Sequence, residues 1–277
     1  MRKAIESNAD AVILDLEDAV AAAARIAARQ HVADVLDERA ARGSVPGGTR
    51  PDLHVRIDRD GDGYAVADLE AVVRPGLDAI RLPKVESLDA VSDVVERLDR
   101  LEPERDLPRG SIRLYLTVES AIGVLMLGET LRASTRVVRA AIGTSDLLAD
   151  LGAEGDDDLA TLHIRSQMVL VSRAVGAGPP IDSVHTDLGD DDGLSAGATR
   201  ARTLGFHGKS VIHPRQLEAV HAVFTPTADQ LERARAVIDA FETAARAGTG
   251  GVAVDGRFID AAVVARARAL LDLRRSP

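Results

Sequence analysis

Short, β-branched apolar runs alternate with longer Ala-, Leu- and Arg-rich stretches along most of this chain. That alternation admits few folds, because strands separated by helices line up parallel in one sheet with the helices packed on its faces. The strand-like runs are Ala11–Leu16, Leu53–Ile57, Ala79–Leu82, Ile112–Val118, Val137–Ile142, Ile181–Val184 and Ser210–Ile212. Helical spacing falls between them, over Ala19–Leu36, Leu88–Leu101, Ala121–Ala133, Leu159–Val175 and Gly193–Leu204. Runs that are apolar throughout, such as AVIL, fit a sheet covered on both sides. Seven units over about 200 residues suit a (β/α)8 TIM-type barrel better than an open sheet, yet such a barrel closes with eight strands. The chain opens on helix-like MRKAIESN, a helix that would follow a strand. The expectation is therefore a barrel lacking the first strand, spanning residues 1–223.

From residue 224 the pattern turns helical and predicts a C-terminal helical arm or lid, 224–277. Thr227–Arg246 is amphipathic, and Thr227 with Gln230 three residues later forms a candidate capping box. GTGGVAVDGRF then reads as a short hairpin turning at Asp255-Gly256, before a last helix from Ile259 to Leu273. The acidic stretches Glu154–Asp158 and Gly189–Gly193 read as solvated loops.

Composition removes several function classes. A formal net charge of −10 argues against duplex nucleic acid as a partner, since that affinity depends on Lys and Arg neutralising phosphates. With no Cys, thiolate metal sites, disulfides and Cys nucleophiles are excluded. No apolar run reaches the ~20 residues of a membrane span, and no secretory signal is visible at the start, so a cytoplasmic protein is expected. Aromatic residues make up only 2%, so the core must be built from Ala, Val, Leu and Ile.

In barrels of this class the reacting groups sit where strands end. The polar residues at those ends are Asp15, Arg56, Lys84, Glu119, Asp146, Asp182 and His213. Glu119 and Asp146 end consecutive strands, so their carboxylates should converge. Two close carboxylates repel unless a proton or a cation lies between them, and hard oxygen donors without Cys or His favour Mg²⁺. Arg56 could hold a carboxylate or an enolate oxygen, or pair with an acid such as Asp15 or Glu17. Lys84 suits a salt bridge in the barrel mouth better than an imine. His213 suits a capping role, and GFHGK falls short of a phosphate-loop pattern.

The motifs ADAVILDLEDAV, VRID, AIRLPKVES, TVES, GTSDLLADLG, PPIDSVHTD, LGFHGKSVIHPRQ and DGRFID occur in order over nearly the whole chain. This ordered set resembles the citrate lyase β-subunit-like branch of the HpcH/HpaI aldolase family, which includes malyl-CoA and citramalyl-CoA lyases. The resemblance implies Mg²⁺ held by Glu119 and Asp146, with Arg56 contacting the substrate; Glu119, Asp15 and Lys84 are expected to line the substrate site with it. It also implies that Asp260, otherwise a helix N-cap, acts as general acid/base in a neighbouring subunit's site of a homotrimer. The implied reaction is Mg-dependent carbon–carbon cleavage of an acyl-CoA thioester to acetyl-CoA and an α-keto acid, or the related thioester hydrolysis. Three features depart from the family pattern: its first strand with a Pro-Gly turn has no counterpart, Ser145 stands where relatives usually carry Glu, and Asp58 where Asn is common. GTSDL is also similar to the metal loop of class II pyruvate aldolases, which act without CoA. Ser145 and the missing strand would equally suit a non-catalytic paralogue.

Overall fold

The computed structural model describes residues 2–43, 50–61, 63–153, 157–246, 248–249, 251–254 and 256–272. The chain divides into two compact units, Met1–Val220 and His221–Pro277.

The first unit is an α/β fold around a seven-stranded parallel sheet. Its strands are β1 (Ala11–Asp15), β2 (Asp52–Arg56), β3 (Ala79–Leu82), β4 (Arg113–Val118), β5 (Val137–Ile142), β6 (Ile181–Asp182) and β7 (Gly208–Lys209). They lie side by side in chain order, and among the described residues β1 and β7 are not paired with each other. Every residue of β3 is buried, as expected of a strand covered on both faces.

The helices follow from local sequence. Leu88–Glu104 buries Val91, Val94, Leu98 and Leu101, one stripe at helical spacing, and Ser87 caps it by accepting the Ala90 N–H at 3.3 Å. Ala121–Thr130 begins the same way, with Ser120 accepting the Gly123 N–H at 3.2 Å. Gly123 lets this helix sit close to the β3 loop, since a Cβ there would lie 2.6 Å from the Val85 carbonyl oxygen.

Three expectations need correcting. The last strand is Gly208–Lys209, not Ser210–Ile212. Its register follows the β6 pairing Ile181–Gly208 and Asp182–Lys209, which leaves Ile212 52% exposed despite its apolar character. The second acidic stretch is no loop: Asp190 accepts the Gly193 N–H at 2.8 Å and starts the helix Asp191–Leu204, where acidic groups favour the N-terminal dipole. The first stretch in part lies outside the described residues, but Asp157 and Asp158 already belong to the helix Asp157–Ala174. Sequence patterning also passed over a small hairpin, Arg59–Asp60 with Gly63–Tyr64, and the helices Val66–Val72 and Thr144–Leu151.

The second unit carries the helix Ala228–Arg246, the hairpin Val252–Val254 with Arg257–Ile259, and the helix Ala261–Asp272. The capping box is present: the Thr227 N–H donates to Gln230 Oε1 at 3.1 Å, and the Gln230 N–H returns to Thr227 Oγ1 at 3.2 Å. Asp255, in the predicted turn, lies outside the described residues.

Candidate active site

Glu119 follows β4 directly and precedes the capping Ser120, so strand end and helix start fix its backbone from both sides. One strand along, β5 runs into Gly143 and the helix Thr144–Leu151, which carries Asp146 in its first turn. Gly143 is required by space: a Cβ there would lie 2.4 Å from Glu119 Oε2 and 2.9 Å from Glu119 Cβ. The Glu119 side chain thus occupies the place that a side chain at Gly143 would fill.

Glu119 is 6% exposed, and its Oε1 accepts the backbone N–H of Lys84 at 2.6 Å. Burial pushes its pKa up to about 7, opposed by that N–H and reinforced by the negative charges of Glu17 and Asp146. Among the described residues no Lys or Arg side chain pairs with it. Asp146 is solvent-exposed, and its charge reaches both Glu119 and Lys84.

Beside this pair lies a cluster of compensated charges. Arg56 makes a two-pronged contact with Asp15, Nε to Oδ1 at 2.7 Å and Nη2 to Oδ2 at 2.6 Å, and its Nη1 lies 2.8 Å from Glu17 Oε2. The register explains the first contact, since Asp15 and Arg56 are direct partners across β1 and β2. Asp15 is further used as a turn acceptor by the N–H groups of Glu17 and Ala19, each at 3.1 Å. Burial pushes the Asp15 carboxyl up, but Arg56 and these N–H groups outweigh it and hold it below the usual aspartate value. Asp15 therefore orients Arg56 rather than presenting a free carboxylate.

Glu17, 4% exposed, links Arg56 to Lys84, whose Nζ donates to Glu17 Oε1 at 2.7 Å. Burial raises the Glu17 pKa against the pull of Lys84 and Arg56, while the Glu17 hydrogen bond pushes Lys84 up to about 12. A protonated amine in an ion pair suits the salt-bridge reading of Lys84 and not an imine. Lys84 also has a left-handed backbone, φ 49°, and its carbonyl accepts Arg59 Nη1 at 2.6 Å.

Asp15, Arg56, Lys84, Glu119 and Asp146 are thus brought to one end of the sheet. Glu17 completes their charge network, although sequence reasoning treated it only as a possible partner for Arg56. Two strand-end residues serve other ends. Asp182, 1% exposed, pairs with Arg165 and, at 2.7 Å, with Lys209 Nζ, a structural network that accounts for the Lys of GFHGK. His213 caps a short 3-10 turn by accepting the Arg215 N–H at 3.2 Å. Asp260, in the second unit, accepts the Val263 N–H at 3.0 Å as N-cap of the last helix.

The donor set fits a hard divalent cation. Glu119 is a buried carboxylate with no cationic side-chain partner among the described residues, Asp146 is a second carboxylate within electrostatic reach, and no thiolate competes. Mg²⁺ typically takes one or two protein carboxylates and keeps several waters, which matches two acids at an open strand end.

A model of the family described as HpcH/HpaI aldolase/citrate lyase matches residues 1–214. Citrate lyase subunit beta of Escherichia coli K12 is 34% identical over 264 residues, covering 95% of this chain and 85% of its own. A (3S)-malyl-CoA thioesterase of Cereibacter sphaeroides is 34% identical over 274 residues, covering 98% and 88%. Among solved structures, the protein CitE of Mycobacterium tuberculosis, in complex with magnesium, acetoacetate and coenzyme A, superposes with a TM-score of 0.71. It shares 30% identity and covers 96% of this chain and 90% of its own.

Proposed function

The chain belongs to the HpcH/HpaI aldolase/citrate lyase family, and from that premise we propose that it is a Mg²⁺-dependent carbon–carbon lyase acting on a 3-hydroxy-3-carboxyacyl-CoA of the malyl-CoA or citramalyl-CoA type. The observation that carries this reading is the buried Glu119 carboxylate, unpaired with any cationic side chain among the described residues and within reach of the Asp146 charge. Relatives named for citrate lyase and malyl-CoA, and a neighbour in complex with magnesium and coenzyme A, support the substrate class. On the same premise the sheet is part of a TIM-type barrel, and the second unit an arm acting between the subunits of a homotrimer.

In this proposal Glu119 and Asp146 hold the cation. When bound, Mg²⁺ supplies Lewis-acid polarisation of the substrate oxygen that becomes the keto group. As the substrate hydroxyl gives its proton to water and becomes the keto group, cleavage leaves the electron pair of the broken carbon–carbon bond on the carbon next to the thioester carbonyl. Arg56 stabilises the resulting enolate oxygen with N–H groups not used by Asp15 and Glu17, and those two acids keep its guanidinium in place. Asp260 of a neighbouring subunit donates the proton to the enolate carbon, giving acetyl-CoA or a close homologue. Lys84 holds the Glu119 carboxylate through its N–H and Glu17 through its ammonium group.

Thioester hydrolysis is the second reading, favoured by the 34% identity to a malyl-CoA thioesterase. Product analysis separates the two: lyase action on malyl-CoA yields acetyl-CoA and glyoxylate, whereas hydrolysis yields malate and free CoA. Turnover of malyl-CoA and citramalyl-CoA with Mg²⁺ tests the proposal, with Glu119→Ala as the comparison. Loss of turnover in the variant is expected; unchanged turnover refutes the metal assignment.

A further inference from the structure

The inner face of the sheet holds charge that the proposed chemistry does not use. Register sets Arg56 beside Arg81, Arg81 beside Tyr115, and Tyr115 beside Arg139, across β2 to β5. Partners in a parallel ladder face the same side, so these side chains form one row. His54, two residues before Arg56, shares that side, and its ring lies 4.6 Å from the Tyr115 ring.

Arg81 is only 6% exposed. Its Nε donates to His54 Nδ1 at 3.3 Å, and its guanidinium lies 4.9 Å from the Tyr115 ring centroid. Arg139 donates from Nη1 to the Pro179 carbonyl at 3.0 Å. Among the described residues no carboxylate pairs with either guanidinium. Of the acids on this side of the sheet, Asp15 is bound to Arg56 and Asp52 to Arg113, each at 2.7 Å. His54 accepts that N–H but supplies no counter-charge, since an imidazole is neutral or cationic. Burial lowers the pKa of both arginines, Arg81 to about 10.

A guanidinium buried without an opposite charge is strongly disfavoured, and a like charge at Arg56 worsens it. Ile13, the partner of His54 across β1 and β2, lies on the same side and is 39% exposed in mid-strand. Arginine forks match the oxygens of carboxylates and phosphates, and the Tyr115 hydroxyl adds a donor.

We propose that Arg81 and Arg139 form a binding site for a small oxyanion, a carboxylate or a phosphate, on the inner face of the sheet. It lies deeper along the strands than Glu119, which Tyr115 precedes by four residues, about 13 Å along a strand, and it adjoins Arg56, the ladder partner of Arg81. The proposal does not rest on the lyase reading, and a failure of either leaves the other in place.

The test is thermal denaturation of metal-free wild type, Arg81→Met and Arg139→Met in low-salt buffer, titrated with inorganic phosphate or with acetate. Saturable stabilisation of the wild type by several degrees is expected, with most of it lost in both variants. The variants also subtract the general stabilisation that phosphate gives any protein. A response to phosphate alone assigns a phosphate site, and a response to acetate assigns a carboxylate site. Without added anion, Arg81→Met should melt at or above the wild-type temperature, because it removes an uncompensated buried charge. If Arg81→Met does not fold, Arg139→Met decides alone. No saturable response in the wild type, or equal responses in wild type and variants, overturns the site.

Discussion

Lys84 grips Glu119 by its backbone, not its side chain: the Lys84 N–H meets Glu119 Oε1 at 2.6 Å from a residue at φ 49°. The left-handed conformation aims that N–H at the carboxylate while the Lys84 ammonium turns to Glu17. For a residue with a Cβ this conformation costs about 1–2 kcal/mol, a cost glycine does not carry. Lys84→Gly should therefore be more stable than Lys84→Ala by about 1 kcal/mol, although both lose the same ion pair. Denaturant midpoints of the two variants check this, and equal midpoints would contradict it.

Gly143→Ala tests how closely the β5 turn is fitted to Glu119. The backbone there, φ −106°, accepts alanine, so any effect comes from the clash with the Glu119 side chain. Because Glu119 Cβ as well as its tip is in the way, the carboxylate must move. Mg²⁺ affinity measured by calorimetry should fall about 10–100-fold, the range for disturbing a ligand's support. Wild-type affinity would show that Glu119 is free to move without cost.

Much of this site was readable one residue at a time. Polar residues closing apolar runs marked Asp15, Arg56, Lys84, Glu119 and Asp146, because polar side chains are excluded from the apolar run and collect where the strand ends. Pairings were harder to see. Glu17 lies beyond its strand, and its link between Arg56 and Lys84 exists only once β1, β2 and β3 are adjacent. Arg81 was passed over because RL reads as strand interior. Its lack of a counter-charge becomes visible only when register places it beside Arg56 and Tyr115. The last strand was misplaced by two residues for a similar reason: SVI is the more apolar run, but Lys209 is anchored by Asp182 at 2.7 Å. Capping signals survive without tertiary knowledge, as Thr227 with Gln230 shows.

The Asp15–Arg56 contact sets a pH dependence. Arg56 and the turn N–H groups hold the Asp15 carboxyl below the usual aspartate value of about 3.9, so its contribution to stability is present above that value. The contribution is lost as pH falls through the lower folded value, where the folded carboxylate at last takes up a proton. Asp15→Asn should be less stable than wild type at neutral pH by about 1–3 kcal/mol, and its stability should fall less steeply below pH ~4. Chemical denaturation across this range checks both parts. Parallel pH profiles would show that the contact contributes nothing through ionisation.

Asp260 offers a separation of structural and chemical roles. Asparagine caps a helix about as well as aspartate, so Asp260→Asn should keep the Val263 hydrogen bond and the melting temperature. It cannot exchange a proton, so turnover should drop by about 100-fold or more if the residue is the general acid. Full activity in Asp260→Asn would leave it a cap and nothing else.

The central claim is that two acids from neighbouring strand ends, one buried and one exposed, share a single divalent ion. Calorimetric titration of Mg²⁺ into metal-free protein measures it directly, comparing wild type with Glu119→Ala and Asp146→Ala. One binding event per chain in the wild type, weakened at least about 100-fold in each variant, is the predicted result. Binding of equal strength in all three proteins, or none in the wild type, would contradict it.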